Sequence, residues 1–358
     1  MKASAVEGLR WKSPRALVFR SLGVCFESRR GQVVSGHFGY VAARAWLDAS
    51  PPPAPNPRPA VEDPMAVKGG TYSDGHPLDT VQFLECKVIL RPERIRSPKS
   101  FLEFGQKVAR TAAKHGVGFD TKKVGKHPLR VREVVFLDTR DFRLYNEAFI
   151  LRLRLPYEDG FPVGDPEVVF KFRHPDMQRA ASMDVRPDVS GDFLIKFKSE
   201  ALPLKDEIGG LRLLYSHNVE FGLSTVQRTD PTSWSALAEI FPALANLRGS
   251  SGEHVGLVSD VIVEEVLQDL GVLDFGKGIT GRSNVALWRV PGAHRALVGE
   301  FSFQLKFKRF DELHQKAKKR CEDFFRALQR DVRDWVSLGT TKTGAVYRFR
   351  GNAPNAHE

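Results

Sequence analysis

The chain has 358 residues, 42% of them hydrophobic, which is enough to bury one large core or two modest ones and excludes a wholly disordered chain. A formal net charge of +11 points to anionic partners and leaves nucleic acid, polyphosphate, nucleotides and acidic lipid open. Cys25, Cys86 and Cys321 are far apart, odd in number and without a CxxC pair, so they suggest neither a disulfide framework nor a zinc site and fit a reducing compartment best.

No stretch approaches the roughly 18 to 20 apolar residues that span a bilayer, and the N-terminus lacks a compact secretory core. The expectation is a cytoplasmic protein with no membrane partner. Residues 1–64 are Arg-rich and end in PPPAPNPRPA, a polyproline-like stretch that joins neither helix nor sheet, so they read as a disordered lead-in. An organelle transit peptide is the alternative, opposed by five acidic residues before Met65. Met65 as the true initiator is a third reading. Residues 65–350 are expected to form one domain and 351–358 a flexible tail.

The first predicted strand is Val81 to Leu90, with Phe83, Glu85, Lys87 and Ile89 on one face and Leu84, Cys86, Val88 and Leu90 on the other. Ser97 before Pro98 starts a helix, along which Phe101, Phe104, Val108 and Ala112 recur until Gly116. Val131 to Leu155 reads as a hairpin-like unit whose second strand puts Ile150, Arg152 and Arg154 opposite Leu151, Leu153 and Leu155. Glu167 to Arg173 sets Lys171 and Arg173 against Phe170 and Phe172. Ser182 to Arg186 is expected to be a strand, as are Leu194 to Lys198, carrying Lys196 and Lys198, and Leu211 to Tyr215.

Thr232 to Leu247 reads as a helix interrupted near Pro242. Val261 to Val266 is a strand or a buried helix end, and Ala286 to Val290 a strand carrying Arg289. The clearest alternation is Glu300 to Lys308, with Glu300, Ser302, Gln304, Lys306 and Lys308 opposite Phe301, Phe303, Leu305 and Phe307. Asp311 to Trp335 is a long amphipathic helix with Leu313, Ala317, Cys321, Phe324, Leu328, Val332 and Trp335 in one stripe. Gly339 to Arg350 reads as a Gly-rich turn leading into a short strand; its Thr and Lys suit phosphate, but the Walker spacing is absent.

These elements give an α+β fold in which nearly every strand has one apolar and one charged face. An open sheet would leave the charged face in water. A closed antiparallel barrel with helices packed outside would turn the basic residues into a tunnel, where low-dielectric walls concentrate positive potential and call for a polyanion.

The order of elements resembles the CYTH, or triphosphate tunnel metalloenzyme, superfamily. Phe136, Asp138 and Thr139 stand in an aspartate-threonine segment, followed by Leu144, Tyr145 and the pair Arg152 and Arg154. Glu85 and Lys87 fall on the second Glu and the Lys of an early ExExK pattern, Lys171 on a strand lysine, and Glu300 on the first acidic position of a late strand. The resemblance spans Val81 to Lys308. It implies an eight-stranded antiparallel tunnel that binds triphosphate-containing compounds, with Mg2+ or Mn2+ on glutamates.

Carried over residue by residue, it implies Glu85, Lys87 and Glu300 as the catalytic set and Glu85, Glu300 and Glu264 as metal ligands, with Glu220 or Asp184 as further help. Arg152, Arg154, Lys171, Arg173, Lys196 and Arg289 become substrate ligands. Departures are Phe83 at the first Glu of ExExK, and Ser302 and Gln304 on the late strand. Two functions follow. One is divalent-metal-dependent hydrolysis, a phosphoryl transfer from a triphosphate to water. The other is a non-catalytic module that binds triphosphate, polyphosphate or an RNA 5'-triphosphate end, its metal site degenerate. His174, His217 and His314 show no ligand spacing and read as packing or solvated residues.

Overall fold

The computed structural model describes residues 69–122, 128–226, 232–247, 253–292, 295–307 and 314–351. The expected lead-in, all but the first residue of the expected tail, Lys308 and Leu313 lie outside the described residues. The strands are β1 (Phe83–Leu90), β2 (Gly118–Asp120), β3 (Arg130–Thr139), β4 (Phe149–Glu158), β5 (Phe161–Pro162), β6 (Glu167–His174), β7 (Leu194–Leu202), β8 (Arg212–Gly222), β9 (Val255–Asp274), β10 (Thr280–Val290) and β11 (Arg295–Lys306). The helices are α1 (Pro98–Lys114), α2 (Arg143–Asn146), α3 (Met177–Ser182), α4 (Trp234–Ile240), α5 (Gln315–Asp331) and α6 (Lys342–Tyr347). None of them is long and apolar enough to cross a membrane.

Hydrogen bonds run from β10 through β11, β1, β7, β8, β6, β4, β3 and β9, and β9 pairs back onto β10. The sheet is therefore a closed barrel of nine strands, not the eight that the resemblance implies. A ring with an odd number of strands cannot alternate direction all the way round. The one parallel junction that this forces lies between β1 and β7, where Phe83 is level with Lys198, so the barrel is mixed and not wholly antiparallel.

Strand alternation divides the barrel wall into two faces. The outer face carries the larger core. Phe104 of α1 packs 5.5 Å from Phe301 and 5.3 Å from Trp335, and Phe324 of α5 packs 5.7 Å from Phe303. Around the barrel, Phe241 after α4 stacks on Phe170 at 4.1 Å. The helical spacing of Phe101, Phe104, Val108 and Ala112 thus becomes one buried stripe against the sheet.

Several boundaries differ from the sequence expectation for local reasons. Residues 183–186 are not a strand: Arg186 forks onto its own neighbour Asp184 at 2.8 and 2.5 Å and onto Asp74 at 2.7 Å, an arrangement that replaces ladder pairing. Val261 to Val266 lies within β9, so the buried helix end is excluded. The helix expected to start at Asp311 starts at Gln315, where His314 caps it by accepting a hydrogen bond from the Lys316 amide, and ends at Asp331. The strand expected after Gly339 is instead α6, because Thr341 caps it by accepting from the Gly344 amide at 3.0 Å. The helix expected over Thr232 to Leu247 is the shorter α4 followed by a single turn at Pro242–Leu244.

Phe104→Ala is expected to cost about 3–5 kcal/mol, the price of emptying a wholly buried aromatic site. Urea unfolding of the full chain checks this; the midpoint should fall with the slope unchanged.

Candidate functional site

The inner face of the barrel encloses a cavity of about 830 Å³, counting solvent at its mouth. Its lining includes eight basic side chains, Lys87, Arg132, Arg152, Arg154, Lys171, Arg173, Lys198 and Lys342, against four carboxylates, Glu85, Glu200, Glu220 and Glu300. One end is plugged. Val346 and Tyr347 of α6 are buried among Phe136, Ile150, Val263 and Trp288, an apolar cluster inside the barrel and distinct from the outer core. Tyr347 stacks on Tyr145 at 4.2 Å and donates its hydroxyl to Asp138 at 3.0 Å.

Asp138 and Thr139 thereby acquire a structural role. Asp138 also accepts from the amides of Thr139, Leu144 and Tyr145 at 2.7, 2.9 and 3.0 Å. The Thr139 hydroxyl accepts from the Arg143 amide at 2.9 Å. The aspartate-threonine segment is thus the cap that turns β3 into α2 and anchors the plug. Burial pushes the Asp138 carboxyl up to about 6 against these donors.

Three groups of charge stand around the cavity. In the first, Glu200 on β7 has 1% of its side chain exposed and gathers Lys87 at 3.1 Å, Lys171 at 3.2 Å and Arg173 at 3.1 Å. Burial alone would push Glu200 up, but the three cations hold it well below the usual carboxylate range. Burial also drives Lys171 well below the ordinary lysine value. Lys87 bridges to Glu85 at 3.1 Å. In the second group, Glu220 pairs with Lys196 and with Arg154 at 3.5 Å, and Arg154 reaches Glu167 at 2.7 Å.

The third group centres on Glu265, which is fully buried. It pairs with Arg132, accepts from the Trp288 indole at 2.7 Å and takes Lys342 at 3.1 Å. Lys342 also reaches Glu300 at 2.7 Å. Arg152 belongs to none of these groups. Its Nε is buried without a hydrogen-bond partner, and among the described residues no carboxylate forms an ion pair with it. Its guanidinium stands 6.0 Å from the Phe136 ring centroid. Burial, with Arg154 and Arg132 alongside, pushes it down to about 9.

The structure thus brings Glu85, Lys87, Arg152, Arg154, Lys171, Arg173 and Glu300 to one lumen, with Lys196 on the same face. Arg289 and Glu264 do not join them. Trp288 and Glu265 face inward, so their neighbours Arg289 and Glu264 face outward and pair with each other at 2.6 Å. Asp184 also lies apart, engaged by Arg186. Phe83, at the altered ExExK position, lies between Lys198 and Lys306, each 5.8 Å from its ring centroid.

Sequence reasoning missed Glu200, Arg132, Glu265 and Lys342. Glu200 shares the alternation of Lys196 and Lys198 and is found by extending that strand by two positions. Arg132 likewise precedes Val134 and Phe136 on one face. In Glu264–Glu265 the parity of β9 decides, and the bulge marked by positive φ at Ser259 and Asp260 obscures it. Lys342 carries no strand signal because it arrives on the plug.

A magnesium or manganese ion requires oxygen ligands around one point, though one or two carboxylates with waters suffice. Glu85 and Glu300 do not supply that point. Glu85 is level with Gln304 and Glu300 with Ile89, so the two enter the lumen about 13 Å apart at about 3.3 Å per residue. Among the described residues no three acidic, histidine or cysteine side chains converge as a metal cage. Two pairs of carboxylates do converge, and each meets on an ammonium, Glu85 and Glu200 on Lys87 and Glu265 and Glu300 on Lys342. The residues as arranged do not fit the metal.

A closed barrel, helices packed outside and a charged lumen within agree with the tunnel that the sequence resemblance implies, with nine strands in place of eight. The fold is a closed, mixed barrel of nine strands with helices packed outside. No family model matches the chain, and no curated protein matches it. Among solved structures it is similar to a candidate adenylyl cyclase from Hippeastrum, described as having a dominant triphosphatase activity, with 14% identity and a TM-score of 0.38 over 76% of this chain and 98% of the other. A candidate adenylate cyclase from Bacillus halodurans has 11% identity and a TM-score of 0.34 over 73% and 95% of the two chains. A protein from Pyrococcus horikoshii has 15% identity and a TM-score of 0.32 over 75% and 99%.

Paired carboxylates make the lumen acid-sensitive. Burial raises Glu85 and Glu220, but Lys198 and Lys87 on the first, and Arg154 and Lys196 on the second, outweigh it and hold both at about 2 against an ordinary 4.5. A depressed carboxyl stabilises the fold fully above its unfolded value and loses that contribution as pH falls through the folded value. Thermal midpoints followed by circular dichroism should therefore drop between about pH 4.5 and 2, and Glu220→Gln should flatten part of that slope. An unchanged slope in the variant would remove Glu220 from the ion-pair network.

Proposed function

We propose that the tunnel binds a triphosphate- or polyphosphate-type anion. The observation that carries this reading is Arg152, half-buried in the lumen, whose Nε is buried without a hydrogen-bond partner and which forms no ion pair with a carboxylate among the described residues, amid a lining in which basic side chains outnumber acidic ones by eight to four. A buried charge is costly unless paired, and a phosphate oxygen supplies the pair with the bidentate geometry that guanidinium favours. Arg154 and Arg132 flank Arg152, while Lys171 and Arg173 share one carboxylate with Lys87, and the Lys171 ammonium carries three hydrogens. The plug at one end makes the site a blind tunnel, suited to the end of a phosphate chain.

Hydrolysis of the terminal phosphate with Mg2+ or Mn2+ on Glu85 and Glu300 is the finer reading that the CYTH resemblance implies. The separation of these two carboxylates and their commitment to Lys87 and Lys342 favour binding without such a metal. Binding and turnover differ in what they require of the lumen: binding needs only the excess of fixed cations.

Calorimetric titration of the full chain with inorganic tripolyphosphate should show saturable binding that weakens with added salt, as screening predicts. Arg152→Ala should weaken it roughly tenfold or more, the worth of a charged hydrogen-bonded contact. Arg152→Lys, which restores charge without the fork, should fall between. Wild-type affinity in Arg152→Ala would overturn this site, and steady phosphate release on adding Mn2+ would move the protein to the hydrolase reading.

A further inference from the structure

The Lys342 ammonium lies where two inward carboxylates converge, 3.1 Å from Glu265 Oε1 and 2.7 Å from Glu300 Oε1, and 5.0 Å from the Trp288 ring centroid. Its position is not that of a surface lysine reaching for a chance partner. Glu265 is wholly buried, Glu300 is 5% exposed, and the helix that carries Lys342 is fixed inside the barrel by Val346 and Tyr347. Thr341 and Thr343 on either side also line the cavity, so the whole start of the plug faces the lumen.

The two carboxylates are the kind of pair a divalent ion takes when waters complete its shell. Glu265 comes from β9 and Glu300 from β11, with Trp288 and Ala286 of β10 between them, and Lys342 enters from the plug to fill the space they share. Arg132 and the Trp288 indole fix the Glu265 carboxylate from its other sides. Removing the ammonium would leave two buried negative charges facing each other, an arrangement that is costly without a cation.

We propose that Lys342 is the resident cation of a two-carboxylate site formed by Glu265 and Glu300, filling the place of a divalent ion between them, so that the tunnel loads its anion without metal. The last clause rests on the anion-binding reading above; the occupancy of the carboxylate pair does not. The ammonium also has the donors to meet a phosphate oxygen at the plugged end while remaining on a carboxylate, since it carries three hydrogens. A fixed side chain thereby supplies charge that a diffusible ion would otherwise bring.

The test is the electron paramagnetic resonance of Mn2+ with the full chain, compared across variants. Wild type and Lys342→Arg should leave Mn2+ free, Lys342→Gln should bind about one ion per chain, and Lys342→Gln combined with Glu300→Gln should lose it. Binding by wild type equal to that of Lys342→Gln, or no binding by a Lys342→Gln chain with native circular dichroism, would overturn the proposal. Tripolyphosphate titrations of the wild type with EDTA and with Mn2+ keep the question open to decision if Lys342→Gln does not fold. Equal affinity in both supports a metal-free tunnel. Binding only with Mn2+ overturns that inference and leaves the anion site standing. No binding in either overturns the anion reading alone, and the Mn2+ spectrum of the wild type then decides the role of Lys342: bound Mn2+ overturns it and free Mn2+ supports it.

Discussion

Basic side chains inside a closed barrel repel one another through a medium that screens them poorly, and this structure meets the problem with glutamates placed between them. Glu200 is the clearest case, because Lys87, Lys171 and Arg173 from two other strands all end on its carboxylate. Without that residue three cations on β1 and β6 would face each other across the lumen. The interior glutamates are therefore counterions before they are anything else. A glutamate-lysine pattern on the first strand, Glu85 followed by Lys87, closes an ion pair within that strand and links it to Glu200 on the parallel neighbour β7.

The two cores explain how so charged a lumen coexists with a stable wall. The nine strands of the ring turn one face to the outer core and the other to the lumen, so the barrel does not depend on the lumen for its apolar burial. At the plugged end the inner face becomes an apolar cluster, where Phe136, Trp288 and Tyr347 converge. That end excludes water and lowers the local dielectric, which strengthens the field felt along the remaining tunnel. Asp138 ties the plug to the β3–α2 corner through Tyr347, so the shape of the blind end is set by the same residues that make the turn.

Much of this was legible in the sequence, because period-two alternation is a direct consequence of the pleat. Arg152 and Arg154, Lys171 and Arg173, and Lys87 are inward for the reason that Leu151, Phe170 and Val88 are outward. What alternation cannot supply is the number of strands, the direction of each junction and the phase of a strand after a bulge. The phase error is why Glu264 and Arg289 were expected in the site while Glu265 and Trp288 occupy it. Lys342 was illegible for another reason: a six-residue helix after a glycine turn, with Thr341 as its cap, carries no periodicity long enough to reveal a face. Its importance depends wholly on where the chain returns after the barrel has closed.

Placing a lysine on the plug changes what kind of cation a tunnel can use. A divalent ion brings two charges and an octahedral shell, and its occupancy follows its concentration. An ammonium brings one charge and three donors, and its occupancy follows the folding of the segment that carries it. Here that segment is held by the stack of Tyr347 on Tyr145 and by the Asp138 hydrogen bond. The charge balance of the lumen is thus coupled to aromatic packing at the barrel's end. Loosening the plug would withdraw a positive charge from Glu265 and Glu300 together, leaving Arg132 as the remaining cation paired with Glu265.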